Sequence, residues 1–184
     1  MVKTKLIFGV TALAAALTLT ACSNDSEEKN SDNKMNMNTS SEHMHTDSDE
    51  VPSNLKSAEN PTYDIGSKAI IQTDHMEGMK DAEATIVGGY DTIAYVVSYL
   101  PTTGGETIDN HKWVIQEEIK DAGDKMLEAG SEVIIEAEHM KGMKGAEATI
   151  ESAEKTTVYI IDYTPTTGGE KVTNHKWLVE SELN

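Results

Sequence analysis

Two short stretches of the sequence carry side chains that could bind a metal. The first is His75-Met76-Glu77-Gly78-Met79, and it returns 64 residues later as His139-Met140-Lys141-Gly142-Met143. In each stretch a glycine, which adopts positive φ readily, lets the backbone curl so that both sulfurs can face one point. Thioethers are soft ligands and imidazole is borderline, a combination that favours Cu(I) over hard cations such as Mg²⁺. The candidate metal ligands are His75, Met76, Met79, His139, Met140 and Met143.

The other histidines and most of the other methionines are clustered too. We call residues 75–79 and 139–143 the Met loops. His111 and His175 each lie in an Asn-His-Lys-Trp segment, predicted as a tight turn that could bring a further ligand beside a Met loop. A histidine in a turn is more commonly satisfied by backbone groups, so that interpretation stays open. A second group of candidates lies near the N-terminus and comprises Met35, Met37, His43, Met44 and His45.

The repeated motif also has a purely structural interpretation. Methionine fills irregular gaps in small cores, and neighbouring residues of a strand point to opposite faces. One of Met76 and Met79 is therefore expected to be buried. In the polar N-terminal segment a methionine has nothing to pack against, so the clusters there indicate either metal binding or unconstrained drift.

Composition excludes several classes of function. The chain has 184 residues and a net charge of −17, with 15 Lys+Arg against 32 Asp+Glu. Binding to nucleic acid or to anionic lipid needs a basic face, so neither is expected. Cys22 is the only cysteine, which excludes an intrachain disulfide and a cysteine-based zinc site.

The N-terminal part indicates export and a membrane anchor. Residues 1–22 read as a signal peptide, with Lys3 and Lys5 before an apolar run that is too short for a typical membrane span. The run ends in Leu-Thr-Ala-Cys22, which resembles the lipobox of bacterial lipoproteins, so Cys22 is the predicted lipidation site. Acyl chains would then hold the protein at the extracellular face of the cell membrane. Residues 23–62 are polar and predicted to form a disordered linker.

The rest of the chain is a duplication. Repeat 1 covers residues 63–119, a short linker of one or two helical turns covers 120–129, and repeat 2 covers 130–184. In repeat 1, residues 68–73, 84–87, 92–99 and 113–115 are predicted strands, with matching strands at 132–137, 148–150, 156–163 and 177–179. Short strands with glycine-rich turns predict an all-β fold of two tandem, small SH3-like barrels packed together.

The repeated pattern carries a family resemblance. The lipobox and the doubled H-M-x-G-M-K, Y-x-P-T-T-G-G-E and N-H-K-W segments resemble the YdhK-type repeat lipoproteins of Firmicutes, including the CopL copper-binding lipoproteins. The resemblance implies a surface lipoprotein that binds copper and contributes to copper resistance or homeostasis by sequestration. Cu(I) is the favoured ion, and the imidazoles can also hold Cu(II). A copper exporter or an extracellular copper oxidase is the partner that such a role implies.

A different class of function remains open on the sequence. The paired aromatic residues could line a groove of an SH3-like interaction module that binds a cell-wall or peptide partner; they are Tyr95, Tyr99, Trp113, Tyr159, Tyr163 and Trp177. Exposure of these rings distinguishes the two hypotheses. An enzyme is not expected, because the sequence has no nucleophile–base arrangement and no phosphate loop.

Overall fold

The computed structural model describes residues 51–184, which belong to one compact unit. Its strands are β1 (Lys56–Ser57), β2 (Lys68–Ile70), β3 (Glu83–Tyr99), β4 (Ile108–Ile115), β5 (Glu132–Ile134), β6 (Glu147–Tyr163) and β7 (Val172–Val179). Two 3₁₀ helices, Gln116–Glu118 and Glu180–Glu182, follow β4 and β7. Within residues 51–184 there is no α-helix, nor any helix long and apolar enough to cross a membrane. The all-β prediction is confirmed.

Several predictions fall on residues that the structure does not describe. The predicted signal peptide and most of the predicted linker lie outside the described residues. The predicted lipidation site Cys22 lies there too, as do the N-terminal ligand candidates Met35, Met37, His43, Met44 and His45. The end of the linker, in contrast, is described and ordered. Residues 56 and 57 form β1, which pairs with Tyr90 and Asp91 of β3, so the folded part begins before Tyr63.

The two long strands β3 and β6 are the centre of the fold. They pair antiparallel along nearly their whole length, from Ala84 opposite Tyr163 to Tyr99 opposite Ala148. Their β-branched and aromatic residues favour extended backbone. The sequence predicted two strands, 84–87 and 92–99, in place of β3, with a break at residues 88–91. The break is absorbed instead as a register shift between Ile86 and Gly88, because a bulge accommodates an extra residue without ending the strand.

All seven strands form one open antiparallel sheet that both repeats share. In repeat 1, β2 and β4 pair with β3, while in repeat 2, β5 and β7 pair with β6. The predicted tight turn at Asn-His-Lys is a further difference, because His111 lies inside β4 opposite Val97, at a register shift. The linker 120–129 contains turns and no helix.

The ends of each repeat cross to the other repeat. Leu183 forms a bridge with Ile71, and Ile119 forms the equivalent bridge with Ile135. Backbone hydrogen bonds extend both contacts, with Gln72 N donating to Glu182 O at 2.8 Å and Glu136 N donating to Glu118 O at 2.7 Å. Each 3₁₀ helix therefore lies beside the segment that leads into the other repeat's Met loop.

The hydrophobic cores follow the same exchange. The first core contains Ile71, Met79 and Ile86 of repeat 1 packed with Tyr163, Leu178 and Leu183 of repeat 2. The second core is its counterpart and contains Tyr95, Tyr99 and Ile119 of repeat 1 with Ile135, Met143 and Ile150 of repeat 2. A third cluster, around Trp113 and Trp177, also combines residues of both repeats. The expected packing of the two repeats is thus an exchange of halves, and neither repeat closes a core by itself.

Truncation of Leu183 tests this exchange. Leu183 is 6% exposed and packs in the first core, so Leu183→Ala should lower the free energy of unfolding by about 2–4 kcal/mol through lost burial and a cavity. Urea unfolding should remain a single transition, because both repeats contribute to every core. The matched control is Leu100→Ala at a side chain that is 55% exposed, with an expected change within about 0.5 kcal/mol. Two separate urea transitions, of which Leu183→Ala shifts only one to lower urea concentration, would contradict the exchange.

Buried tyrosines predict a loss of stability in alkali. Burial raises the pKa of Tyr99 from 10.0 to about 12. Burial also raises the pKa of Tyr159 to about 12, against an opposing effect of the Tyr63 backbone N–H. Because the folded state favours the neutral phenols, their contribution to stability is complete below pH 10 and is lost as the pH rises toward about 12.

The measurement is the free energy of unfolding in urea between pH 9 and pH 12. Lysines titrate in the same range, so the double variant Tyr99→Phe/Tyr159→Phe is the control. It should show a shallower decline than the original protein. If the free energy of unfolding fell equally steeply with pH in the two proteins, the tyrosines would not be the cause of the loss of stability.

Candidate metal site

Each Met loop is held by the turn that follows the long strand of the other repeat. Thr166 N donates to Gly78 O at 2.8 Å, and Thr102 N donates to Gly142 O at 2.9 Å. Gly78 has φ +75°, and a Cβ added there would lie 2.5 Å from Thr167 Oγ1. Glycine is therefore required both for the predicted curl of the loop and for this close approach.

The four methionines of the two loops fall into two classes. Met79 and Met143 are 0% exposed and belong to the first and second cores. Met76 is partly buried against the first core, and its sulfur accepts a hydrogen bond from Tyr163 Oη at 3.7 Å. Met140 is 7% exposed and also packs in the second core, and its sulfur accepts the equivalent bond from Tyr99 Oη at 3.8 Å. A sulfur atom has a second lone pair, so these bonds leave Met76 and Met140 able to bind a metal.

The two loop histidines are each paired with a glutamate from the opposite repeat. His75 Nε2 lies 2.7 Å from Glu182 Oε1, and His139 Nε2 lies 2.7 Å from Glu118 Oε1. All four side chains are largely buried, at 12% and 10% exposure for the first pair and 6% and 9% for the second. Such a carboxylate–imidazole pair is typical of the environment of metal-binding histidines.

One of the strand histidines, His111, lies near such a pair across the repeat boundary. The His111 and His139 ring centres are 6.4 Å apart, with the Tyr99 ring 5.9 Å from His111. Two imidazoles that bind one metal at about 2 Å hold their ring centres roughly 5–6.5 Å apart. His111 therefore lies within reach of a metal at His139. His175 is 1% exposed, with its ring 5.8 Å from that of Tyr163.

Burial and hydrogen bonds set the charge of two of these groups, Glu182 and Tyr99. Burial raises the pKa of Glu182, but the hydrogen bond and charge of His75, the indole N–H of Trp113 and the Val179 N–H lower it more. The net pKa lies below the ordinary value of 4.5. Glu182 is therefore an ionised acceptor at neutral pH. Tyr99, whose pKa is about 12, stays protonated and so remains the donor to the Met140 sulfur.

The sequence interpretation missed four of these residues. Glu118 and Glu182 pair with the loop histidines, while Tyr99 and Tyr163 were considered only as core or groove residues. One signal was available, because all four recur at the repeat spacing of 64 residues. Spacing alone, however, gives no sign that the glutamate and the tyrosine of each site come from the opposite repeat.

The donor set fits a soft metal better than a hard one. In residues 51–184 no group of three or more His, Cys, Asp or Glu side chains is arranged to hold a metal ion. A site built here therefore depends on thioether donors. The pairs that fit are His75 with Met76 and His139 with Met140, because each couples an imidazole to the sulfur of the next residue.

Comparisons with known proteins agree with the duplication. Residues 65–116 and 129–180 each match the family described as protein of unknown function (DUF1541). The chain is 58% identical over 182 residues to the uncharacterized protein YdhK of Bacillus subtilis (strain 168). The aligned region covers 98% of this chain and 89% of the relative.

Solved structures give the same result. A crystal structure of B. subtilis YdhK, a DUF1541 family protein, is 65% identical and has a TM-score of 0.75, covering 77% of this chain and 97% of that one. A solution NMR structure of the YdhK C-terminal domain is 69% identical with a TM-score of 0.63, covering 66% and 92% of the two chains. The chain therefore belongs to the DUF1541 family, as a tandem-repeat protein of the YdhK type.

Proposed function

We propose that the protein is a membrane-anchored, extracellular lipoprotein that binds copper and contributes to copper resistance or homeostasis by sequestration. The observation that carries the proposal is the doubled site, in which a histidine paired with a carboxylate is followed directly by a methionine. The net charge of −17 supports attraction of cations. The predicted lipidation of Cys22 supports a location at the extracellular face of the membrane.

Ligand chemistry supports copper as the bound ion. Thioether and imidazole together favour Cu(I), while the imidazoles His111 and His139 suit Cu(II) as well. A protein outside the cell also gains from avoiding thiols, because free cysteines are lost to oxidation there. In this proposal Met79 and Met143 serve as core residues, because both side chains are fully buried.

The proposed role is storage at the cell surface without catalysis. Copper captured at the membrane would be withheld from the cell, or passed to a copper exporter or an extracellular copper oxidase. Ligands in the predicted linker, among them Met44 and His45, would add capacity close to the anchor. The buried histidines act as binding groups in this scheme, and each is held in place by its carboxylate.

The alternative, a peptide-binding groove, has little support. The six aromatic residues that would line the groove are at most 7% exposed, and they pack in the cores. A ligand could reach them only after the sheet had opened.

Titration with Cu(I) in a competing chelator tests the proposal on residues 51–184, which form part of one compact unit. The double variant Met76→Leu/Met140→Leu should weaken binding at both loops by at least about tenfold, because each site loses its soft donor. The matched control is Met79→Leu/Met143→Leu, which changes only core packing and should leave copper affinity unaltered; such a swap costs under about 1.5 kcal/mol per site. Equal affinity of all three proteins would remove the loops from the proposed function.

A further inference from the structure

The two carboxylate oxygens of Glu182 have different hydrogen-bond partners. Oε1 contacts His75 Nε2 at 2.7 Å, while Oε2 accepts from Trp113 Nε1 at 2.8 Å and from Val179 N at 3.3 Å. The indole and the amide can act only as donors. Oε2 is therefore committed as an acceptor, and the carboxylate is held in place from two sides.

Glu118 has the same arrangement in the other half of the protein. Oε1 contacts His139 Nε2 at 2.7 Å, and Oε2 accepts from Trp177 Nε1 at 3.1 Å and from Ile115 N at 3.2 Å. The occurrence of the same three contacts in both halves argues against an accidental pairing.

These contacts determine which ring nitrogen of each loop histidine carries the hydrogen-bonded proton. An ionised carboxylate has no proton to donate, so the imidazole must donate from Nε2. In the neutral ring Nδ1 then carries the lone pair. A metal at Nε2 would have to displace the glutamate, whereas a metal at Nδ1 leaves all three hydrogen bonds in place.

We propose that Glu118 and Glu182 are positioning residues that hold His139 and His75 in the Nε2–H tautomer, so that metal binds through Nδ1. The inference rests on the proposed copper function and identifies the ligating atom of each site. Nδ1 is the ring nitrogen nearer the backbone, which suits a chelate with the sulfur of the next residue, Met76 or Met140. Because each glutamate belongs to the opposite repeat, each site is complete only when both repeats are folded together.

Replacement by glutamine gives a sharp test, because an amide has one donor end and one acceptor end. In Glu182→Gln the two donors at the Oε2 position, Trp113 and Val179, select the amide oxygen. The amide NH₂ then faces His75 Nε2 and donates to it. The proton of His75 must move to Nδ1, which blocks the proposed ligating atom while the shape of the side chain is kept.

The measurement is the ¹⁵N chemical shift of the histidine ring nitrogens in residues 51–184, first without metal and then with Cu(I), which is diamagnetic. Without metal, His75 and His139 should show the Nε2–H tautomer, and Glu182→Gln should invert it at His75 alone. Copper should shift Nδ1 of both histidines in the original protein. In the variant, affinity at the His75 site should fall about 10–100-fold, with the His139 site unchanged.

The reciprocal variant Glu118→Gln is the matched control and should affect only His139. The Nδ1–H tautomer in the original metal-free protein, or copper bound at Nε2, would overturn the inference and leave the copper function standing. Copper that shifts no histidine or methionine signal would overturn both. The tautomer in the original protein needs no substitution, so a variant that fails to fold does not prevent the test.

Discussion

Antiparallel pairing of the two long strands is the constraint on which the rest of the structure depends. Because Ala84 lies opposite Tyr163 and Tyr99 lies opposite Ala148, each repeat's Met loop is brought beside the end of the other repeat's long strand. The turn after that strand holds the loop, and the 3₁₀ helix after β4 or β7 reaches its histidine. A duplicated sequence thus produces two candidate sites, each with a His–Met pair from one copy and a glutamate and a tyrosine from the other.

Burial of the two His–Glu pairs has a desolvation cost. A buried charge is costly unless hydrogen bonds satisfy it, and each carboxylate here accepts bonds from an imidazole, an indole and a backbone amide. The indoles belong to the central cluster around Trp113 and Trp177. The network therefore links the Met loops to the third hydrophobic cluster, so disturbance of one affects the other.

The sequence predicted the position of the strands and loops better than it predicted which of them pack together. Periodicity and β-branched residues located the strand segments, the repeat of His75 and Met76 located the loops, and burial of one methionine per loop was expected. Pairing between repeats could not be predicted, because two similar copies can form their cores either within each repeat or between the repeats. His111 was assigned to a turn because Asn-His-Lys resembles one, whereas ladder pairing with Val97 keeps it in a strand. Glu118 appeared as one acidic residue among many.

The most direct measurement for the central claim is anomalous X-ray scattering at the copper edge from crystals of residues 51–184 loaded with Cu(I). The account predicts two copper positions, one in each half, each within about 2 Å of a histidine Nδ1 and bound also by the sulfur of Met76 or Met140. Copper coordinated by Met79 or Met143 inside an opened core, or bound away from both loops, would contradict it.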